Sequence, residues 1–125
     1  VARILIVDDE AEIRRFLSRI ITHMGHEVIE APDGQTALNL YQDQPVDLSF
    51  VDVNMPGMNG ITFLEEVKVL DPAAVVIIMT GYPSADTIMK TIEDDGYTYI
   101  TKPFHIEQIK DLVCRGLNAI GGSKP

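Results

Sequence analysis

The sequence predicts an α/β fold: a doubly wound, five-stranded parallel sheet in the order 2-1-3-4-5, with helices on both faces. Three observations lead there. Short apolar runs alternate with segments whose apolar residues recur at helical spacing. A crossover helix after each strand returns the chain so that the next strand runs the same way. The first and fourth runs, Ile4-Leu5-Ile6-Val7 and Val75 to Met79, are apolar throughout, as strands covered on both faces must be. The order 2-1-3-4-5 is a known one for doubly wound sheets; the alternation alone does not dictate it.

The elements follow in chain order. Ile4 to Val7 is the first strand and ends in two acids. Ile13, Phe16, Leu17, Ile20, Ile21 and Met24 mark the first helix, which Gly25 stops. Glu27-Val28-Ile29-Glu30 is a short, polar-ended strand suited to a sheet edge. Asp33 caps a second helix carrying Ala37, Leu38 and Tyr41, which ends before Pro45. Leu48 to Val51 is the third strand. Asn59 caps a third helix with Phe63, Leu64, Val67 and Leu70, closed by Asp71-Pro72. Val75 to Met79 is the fourth strand. Ser84 caps a fourth helix with Ala85, Ile88 and Ile92, closed by Gly96. Tyr99-Ile100 lies in the fifth strand. Ile106, Ile109, Leu112, Val113, Leu117 and Ile120 mark a fifth helix, stopped by Gly121-Gly122, with Cys114 expected to pack beside its stripe.

Composition excludes several classes. The 125 residues, 46% hydrophobic and 23% charged, suit one globular domain with its own core. No apolar run approaches a bilayer span, and no signal peptide is expected from the N-terminal residues. A single cysteine rules out an internal disulfide and fits a reducing, cytoplasmic setting. Ten Lys and Arg against 19 Asp and Glu give a formal charge of −9. That balance argues against nucleic-acid contact and against anionic lipid, and leaves room for a divalent cation.

In such a sheet, chemistry collects at the carboxyl ends of the strands. There the first strand ends in Asp8-Asp9, the third in Asp52 and the fourth in Thr80, while the fifth leads into Lys102-Pro103. Two carboxylates about 4 Å apart repel by about 4 kcal/mol at an effective dielectric of 20. Lys102 offsets one of three charges, and a divalent cation would offset the rest. Oxygen-only ligands suit Mg²⁺, with Mn²⁺ able to replace it. The alternative is that one Asp stays protonated in an empty pocket.

Blander readings stand beside these. Asp9 and Glu12 have the spacing of a capping box, which accounts for Asp9 but leaves Asp8 and Asp52 unexplained. Thr80 on its own is an ordinary strand residue, although Gly81 after it exposes its N–H and lets a ligand approach the backbone. Lys102 on its own is a solvated lysine. The Lys102-Pro103 bond is expected to be cis, which would fix the direction of the lysine.

Taken together, Ile6-Val7-Asp8-Asp9-Glu10, the segment Val51 to Gly60, Met79-Thr80-Gly81 and Tyr99 to Phe104 resemble the receiver domain of two-component response regulators. The likeness runs from about Ala2 to Ile120 and implies a flavodoxin-like receiver fold over 1–120, with 121–125 as a flexible tail or truncated linker. It implies that Asp52 is the phosphoacceptor, that Asp8, Asp9, Asp52 and the main-chain carbonyl of Asn54 hold Mg²⁺, and that Thr80 and Lys102 grip the phosphoryl group. It further implies backbone contacts from Asn54 and Gly81, a switch made of Thr80 and Tyr99, and tuning of phosphoryl lifetime by Asn54 and Tyr82. Tyr99 read without the resemblance is a strand aromatic packed in the core. Gly96-Tyr97 and Thr98 depart from the family pattern, on the partner surface and away from the phosphorylation site.

The function implied is a signalling switch. Asp52 takes a phosphoryl group from the phosphohistidine of a sensor histidine kinase or a phosphotransfer protein. The surface of the fourth helix, fifth strand and fifth helix then changes toward an output domain, a partner or a phosphorylation-dependent homodimer. The rival is a Mg²⁺-dependent aspartyl-phosphate phosphohydrolase, which would want a second Asp two residues after the nucleophile, where this chain has Asn54. A flavin-binding module would want a phosphate loop in place of Asp8-Asp9-Glu10.

Overall fold

The computed structural model describes residues 1–53, 55, 57–81 and 98–121. The expected fourth helix, Asn54, Tyr82 and the tail 122–125 lie outside the described residues. In order the chain forms β1 (Arg3–Val7), α1 (Ala11–His23), β2 (Glu27–Ala31), α2 (Gly34–Asp43), β3 (Leu48–Asp52), α3 (Gly60–Leu70), β4 (Val76–Thr80), β5 (Thr98–Thr101) and a C-terminal helix (Ile106–Gly121). The strands make one parallel sheet, ordered β2-β1-β3-β4-β5. Sequence and structure agree on that architecture.

Strand alternation sends neighbouring residues to opposite faces. On one face Ile4, Ile6, Phe50, Ile77 and Met79 pack against Leu17, Ile20 and Ile21 of α1 and Ile109, Leu112 and Val113 of the C-terminal helix. On the other, Leu5, Val7, Val51, Val76 and Ile78 meet Ala37 and Leu38 of α2 and Phe63, Leu64 and Val67 of α3. The central strands are therefore buried on both sides, which is why β1 and β4 read as unbroken apolar runs. Strand β2 lies at an edge and is only partly buried, in keeping with its charged ends.

Local signals set most helix ends. Asp33 caps α2 by accepting the Thr36 N–H at 2.8 Å, and Asn59 caps α3 by accepting the Thr62 N–H at 2.9 Å. Gly25 follows α1 with φ +94°, the left-handed region that only glycine enters freely. The C-terminal helix opens with half a capping box: the His105 N–H donates to Gln108 Oε1 at 2.7 Å.

Four expectations are corrected. Asp9 is not a helix cap: the N-cap of α1 is Glu10, and no side chain caps it. Strands β3 and β4 each reach one residue further than the apolar runs, to Asp52 and Thr80, because the ladder continues past them. The Val53 N–H donates to the Met79 carbonyl at 2.9 Å and the Lys102 N–H to the Thr80 carbonyl at 2.7 Å. Cys114 is exposed, one step around the helix from the stripe that buries Val113. The C-terminal helix runs through Gly121 where it was expected to stop.

Candidate functional site

The parallel register brings the carboxyl ends of β1, β3 and β4 level, with Val7 beside Val51, Asp52 beside Met79 and Thr80 beside Thr101. Asp8, just beyond β1, and Asp52 and Thr80, which end β3 and β4, are the polar residues of this rim that are buried. Asp9 and Glu10 are exposed beside them.

Burying a carboxylate costs several kcal/mol unless a charge and hydrogen bonds answer it. Lys102 is the answer at this rim. Its Nζ lies 2.9 Å from Asp8 Oδ2, 3.4 Å from Asp52 Oδ1 and 3.7 Å from Glu10 Oε1. Burial by itself pulls the Lys102 ammonium down, but the hydrogen bond to Asp8 and the charges of Asp8 and Asp52 outweigh it, so the group is held above its ordinary pKa and stays protonated. The Lys102-Pro103 bond is cis, as expected.

Asp8 is held on every side. Its N–H donates to the Ala31 carbonyl at 3.2 Å, its Oδ1 accepts the Glu10 N–H at 2.9 Å, and its own carbonyl accepts from Arg14 Nη1 at 2.7 Å. Asp52 is placed by the start of α3. Its backbone carbonyl lies so near Gly60 that a Cβ there would stand 2.6 Å from the oxygen. The Gly60 N–H also donates to the Val53 carbonyl at 3.2 Å. Only glycine lets the helix approach that strand end.

The structure brings Asp8, Asp52 and Lys102 together as expected. One carboxylate oxygen each from Asp8, Asp9 and Glu10 also lie within 4.8 Å of one another, an arrangement that can hold a cation. The sequence reading put Asp9 in this group and gave Glu10 no role beyond its place in the motif. It also overlooked Arg14, whose guanidinium grips the Asp8 carbonyl and pairs with Glu30 of β2 at 3.3 Å. Nothing in the spacing singles out Arg14, since a helical arginine six residues after an acid is ordinary. Among the described residues, nothing beyond its chain neighbours lies within 4 Å of where a Cβ on Gly81 would stand. Tyr99 is 38% exposed, so the core-packed reading of that aromatic is overturned. It lines a groove of about 380 Å³ with Gln108, Asp111 and Arg115 of the C-terminal helix.

The stretch of chain that carries this rim matches known proteins. Residues 4–114 match the response regulator receiver domain. The chain belongs to this family. It is 39% identical to sporulation initiation phosphotransferase F of Bacillus subtilis over 89% of this chain and 90% of that protein. It is 34% identical to the chemotaxis protein CheY of the same organism, over 93% of this chain and 98% of the relative. Against the regulatory protein AtoC of Escherichia coli it is 37% identical, but spans only 25% of that protein. A CheY-like receiver domain protein of Methanospirillum hungatei superposes with a TM-score of 0.95 at 27% identity, over 98% of both chains. Receiver domains of the CheY type are signalling switches and not turnover enzymes, and receiver domains generally bind Mg²⁺. No described helix is long and apolar enough to cross a membrane.

Proposed function

We propose that this receiver domain, over residues 1–120, takes a phosphoryl group onto Asp52 and signals by the change that follows. The observation that carries this is Lys102 Nζ set 2.9 Å from buried Asp8 and 3.4 Å from buried Asp52. A lysine already bridging a nucleophilic carboxylate and its acidic neighbour is placed to meet charge arriving on that carboxylate.

The donor set fits Mg²⁺, or Mn²⁺ in its place. The proposed ligands are oxygens alone, from Asp8, Asp9 and Asp52 with the main-chain carbonyl of Asn54; in support, Asp8 and Asp9 each bring a carboxylate oxygen within 4.8 Å of one from Glu10. Bound there, the ion would offset the carboxylates and draw in phosphoryl oxygens.

The rest falls to the chain. A carboxylate oxygen of Asp52 attacks phosphorus, and the phosphorus–nitrogen bond of a phosphohistidine breaks, its electron pair staying on the imidazole. With a small acyl phosphate the bond broken is phosphorus–oxygen. Alignment and charge stabilisation do most of this work. Lys102 shifts its hydrogen bonds toward the phosphoryl oxygens. The Thr80 hydroxyl donates to another, and the N–H groups of Asn54 and Gly81 take those remaining. Attack by water later returns the carboxylate and inorganic phosphate, at a rate that Asn54 and Tyr82 tune.

The new charge draws Thr80 toward Asp52, and Tyr99 turns into the space released. The surface around β5 and the C-terminal helix, with the expected fourth helix, then favours one binding partner over another. The donors are a sensor histidine kinase or a phosphotransfer protein. The receivers of the signal are an output domain, a separate partner or a second copy of the chain. The setting is cytoplasmic.

Acetyl phosphate with Mg²⁺ is expected to label the wild-type protein, seen as an intact-mass increase, and to leave Asp52→Asn unlabelled. Equal labelling of that variant would sink the assignment.

A further inference from the structure

We infer that Arg14 is a positioning residue for the cation site: it holds the peptide that joins Asp8 to Asp9 and so fixes where the Asp9 carboxylate leaves β1. This rests on the reading above, in which Asp8 and Asp9 bind Mg²⁺.

The geometry is specific. Arg14 Nη1 donates at 2.7 Å to the Asp8 carbonyl, which is the oxygen of the Asp8–Asp9 peptide. Its Nε lies 3.3 Å from Glu30 Oε1 on β2. One rigid guanidinium thus ties the turn after β1 both to α1, which carries Arg14, and to the neighbouring strand. The backbone of Arg14 closes the first turn of the helix onto the Glu10 carbonyl at 3.2 Å, so the brace and the helix start move as one. Asp8 has further anchors in Lys102, Glu10 and Ala31. Asp9 is exposed, and it does not cap the helix. Its direction therefore depends on the plane of the peptide before it, and Arg14 grips that plane. Partners that orient metal ligands without touching the metal commonly change affinity by about 10–100-fold when lost.

Two other roles predict different behaviour. A brace that matters only for stability would lower the melting temperature and leave cation affinity alone. A guanidinium that matters only as a positive charge near the acids would weaken cation binding, so its removal would tighten it.

The test titrates MgCl₂ at constant ionic strength into the wild type, Arg14→Met, Arg14→Lys and Glu30→Gln. Calorimetry and the amide shifts of residues 8–10 read binding, and thermal unfolding is followed in parallel. Arg14→Met and Arg14→Lys are both expected to raise the Mg²⁺ half-saturation by about tenfold, since lysine keeps the charge but not the two-sided grip. Glu30→Gln, a change on a half-exposed side chain, is expected to move it the same way by less. At saturating Mg²⁺ the labelling rate of Asp52 by acetyl phosphate is expected to return to near the wild-type value. Unchanged half-saturation, tighter binding, or a lysine variant that matches the wild type overturns the inference alone. A wild-type protein that binds no Mg²⁺ overturns it together with the reading it rests on.

Discussion

Lys102 and Asp8 stand 94 residues apart in the chain and 2.9 Å apart in the fold. That pair explains why the rim tolerates two buried carboxylates, and also why one part of the sequence was misread. Asp8, Asp9 and Glu10 are all acids at the start of a helix, and local spacing favours Asp9 as the cap. The outcome is decided from the far end of the chain. Asp8 turns inward to Lys102, its Oδ1 takes the Glu10 N–H, and the helix begins one residue later than a cap at Asp9 would set it. Ser49 is a different case. Its hydroxyl is buried within β3 and meets no hydrogen-bond partner among the described residues. A buried hydroxyl without a partner costs about 1–3 kcal/mol. Ser49→Ala is therefore expected to raise the unfolding free energy by about 1 kcal/mol, read as a higher urea midpoint with unchanged slope. A loss of stability would mean that the hydroxyl finds a partner in solution.

Among the elements, the second and third helices were legible because their caps are local. Asp33 and Asn59 each bond an N–H three residues on, within one turn of their own helix. The Asp33 carboxyl is held below its ordinary pKa by hydrogen bonds from the Thr36 backbone and side chain. A carboxyl lowered in the folded state adds stability above its unfolded pKa, about 4, and loses it as pH falls through the folded value. Asp33→Ala is therefore expected to lower the melting temperature at pH 7 and to cost progressively less as the pH drops below about 4. An equal deficit at pH 7 and at pH 2 would show that the cap works without its charge. Cys114 was harder to place, because the stripe of the C-terminal helix is narrow and one residue step is 100° of rotation: Val113 is buried and Cys114 is out. The start of α3 carries an element-level constraint that spacing does not reveal. A Cβ at Gly60 would stand 2.6 Å from the Asp52 carbonyl and 2.9 Å from the Val53 α-carbon, both backbone atoms that cannot swing aside. Gly60→Ala is expected to cost about 1–3 kcal/mol by overpacking. It is also expected to slow Asp52 labelling by acetyl phosphate beyond what the fraction unfolded explains, because the clash falls on the backbone of the proposed phosphoacceptor.

At the scale of the whole molecule, the sheet separates two jobs. Its two faces bury apolar side chains, and its carboxyl edge gathers charge that the core alone would reject. The fold class was readable because it follows from the apolar faces, and with it the meeting of Asp8, Asp52 and Lys102 at one rim; the roles of Glu10 and Arg14 were not, because neither residue has a spacing that sets it apart. The net charge of −9 adds a general self-repulsion to this local one. The two have different signatures. Diffuse repulsion is screened by any salt, with a Debye length near 10 Å at 0.1 M. A chelated cation stabilises by mass action, in proportion to the logarithm of its concentration over its dissociation constant. The melting temperature is thus expected to rise with NaCl, and to rise further when MgCl₂ replaces NaCl at equal ionic strength. In Asp9→Asn the NaCl response is expected to persist while most of the extra Mg²⁺ response disappears, since the exposed carboxylate proposed as a ligand is lost and the Asp8–Lys102 pair is untouched. An Mg²⁺ increment of wild-type size in that variant would place the cation elsewhere on the acidic surface and remove Asp9 from the site.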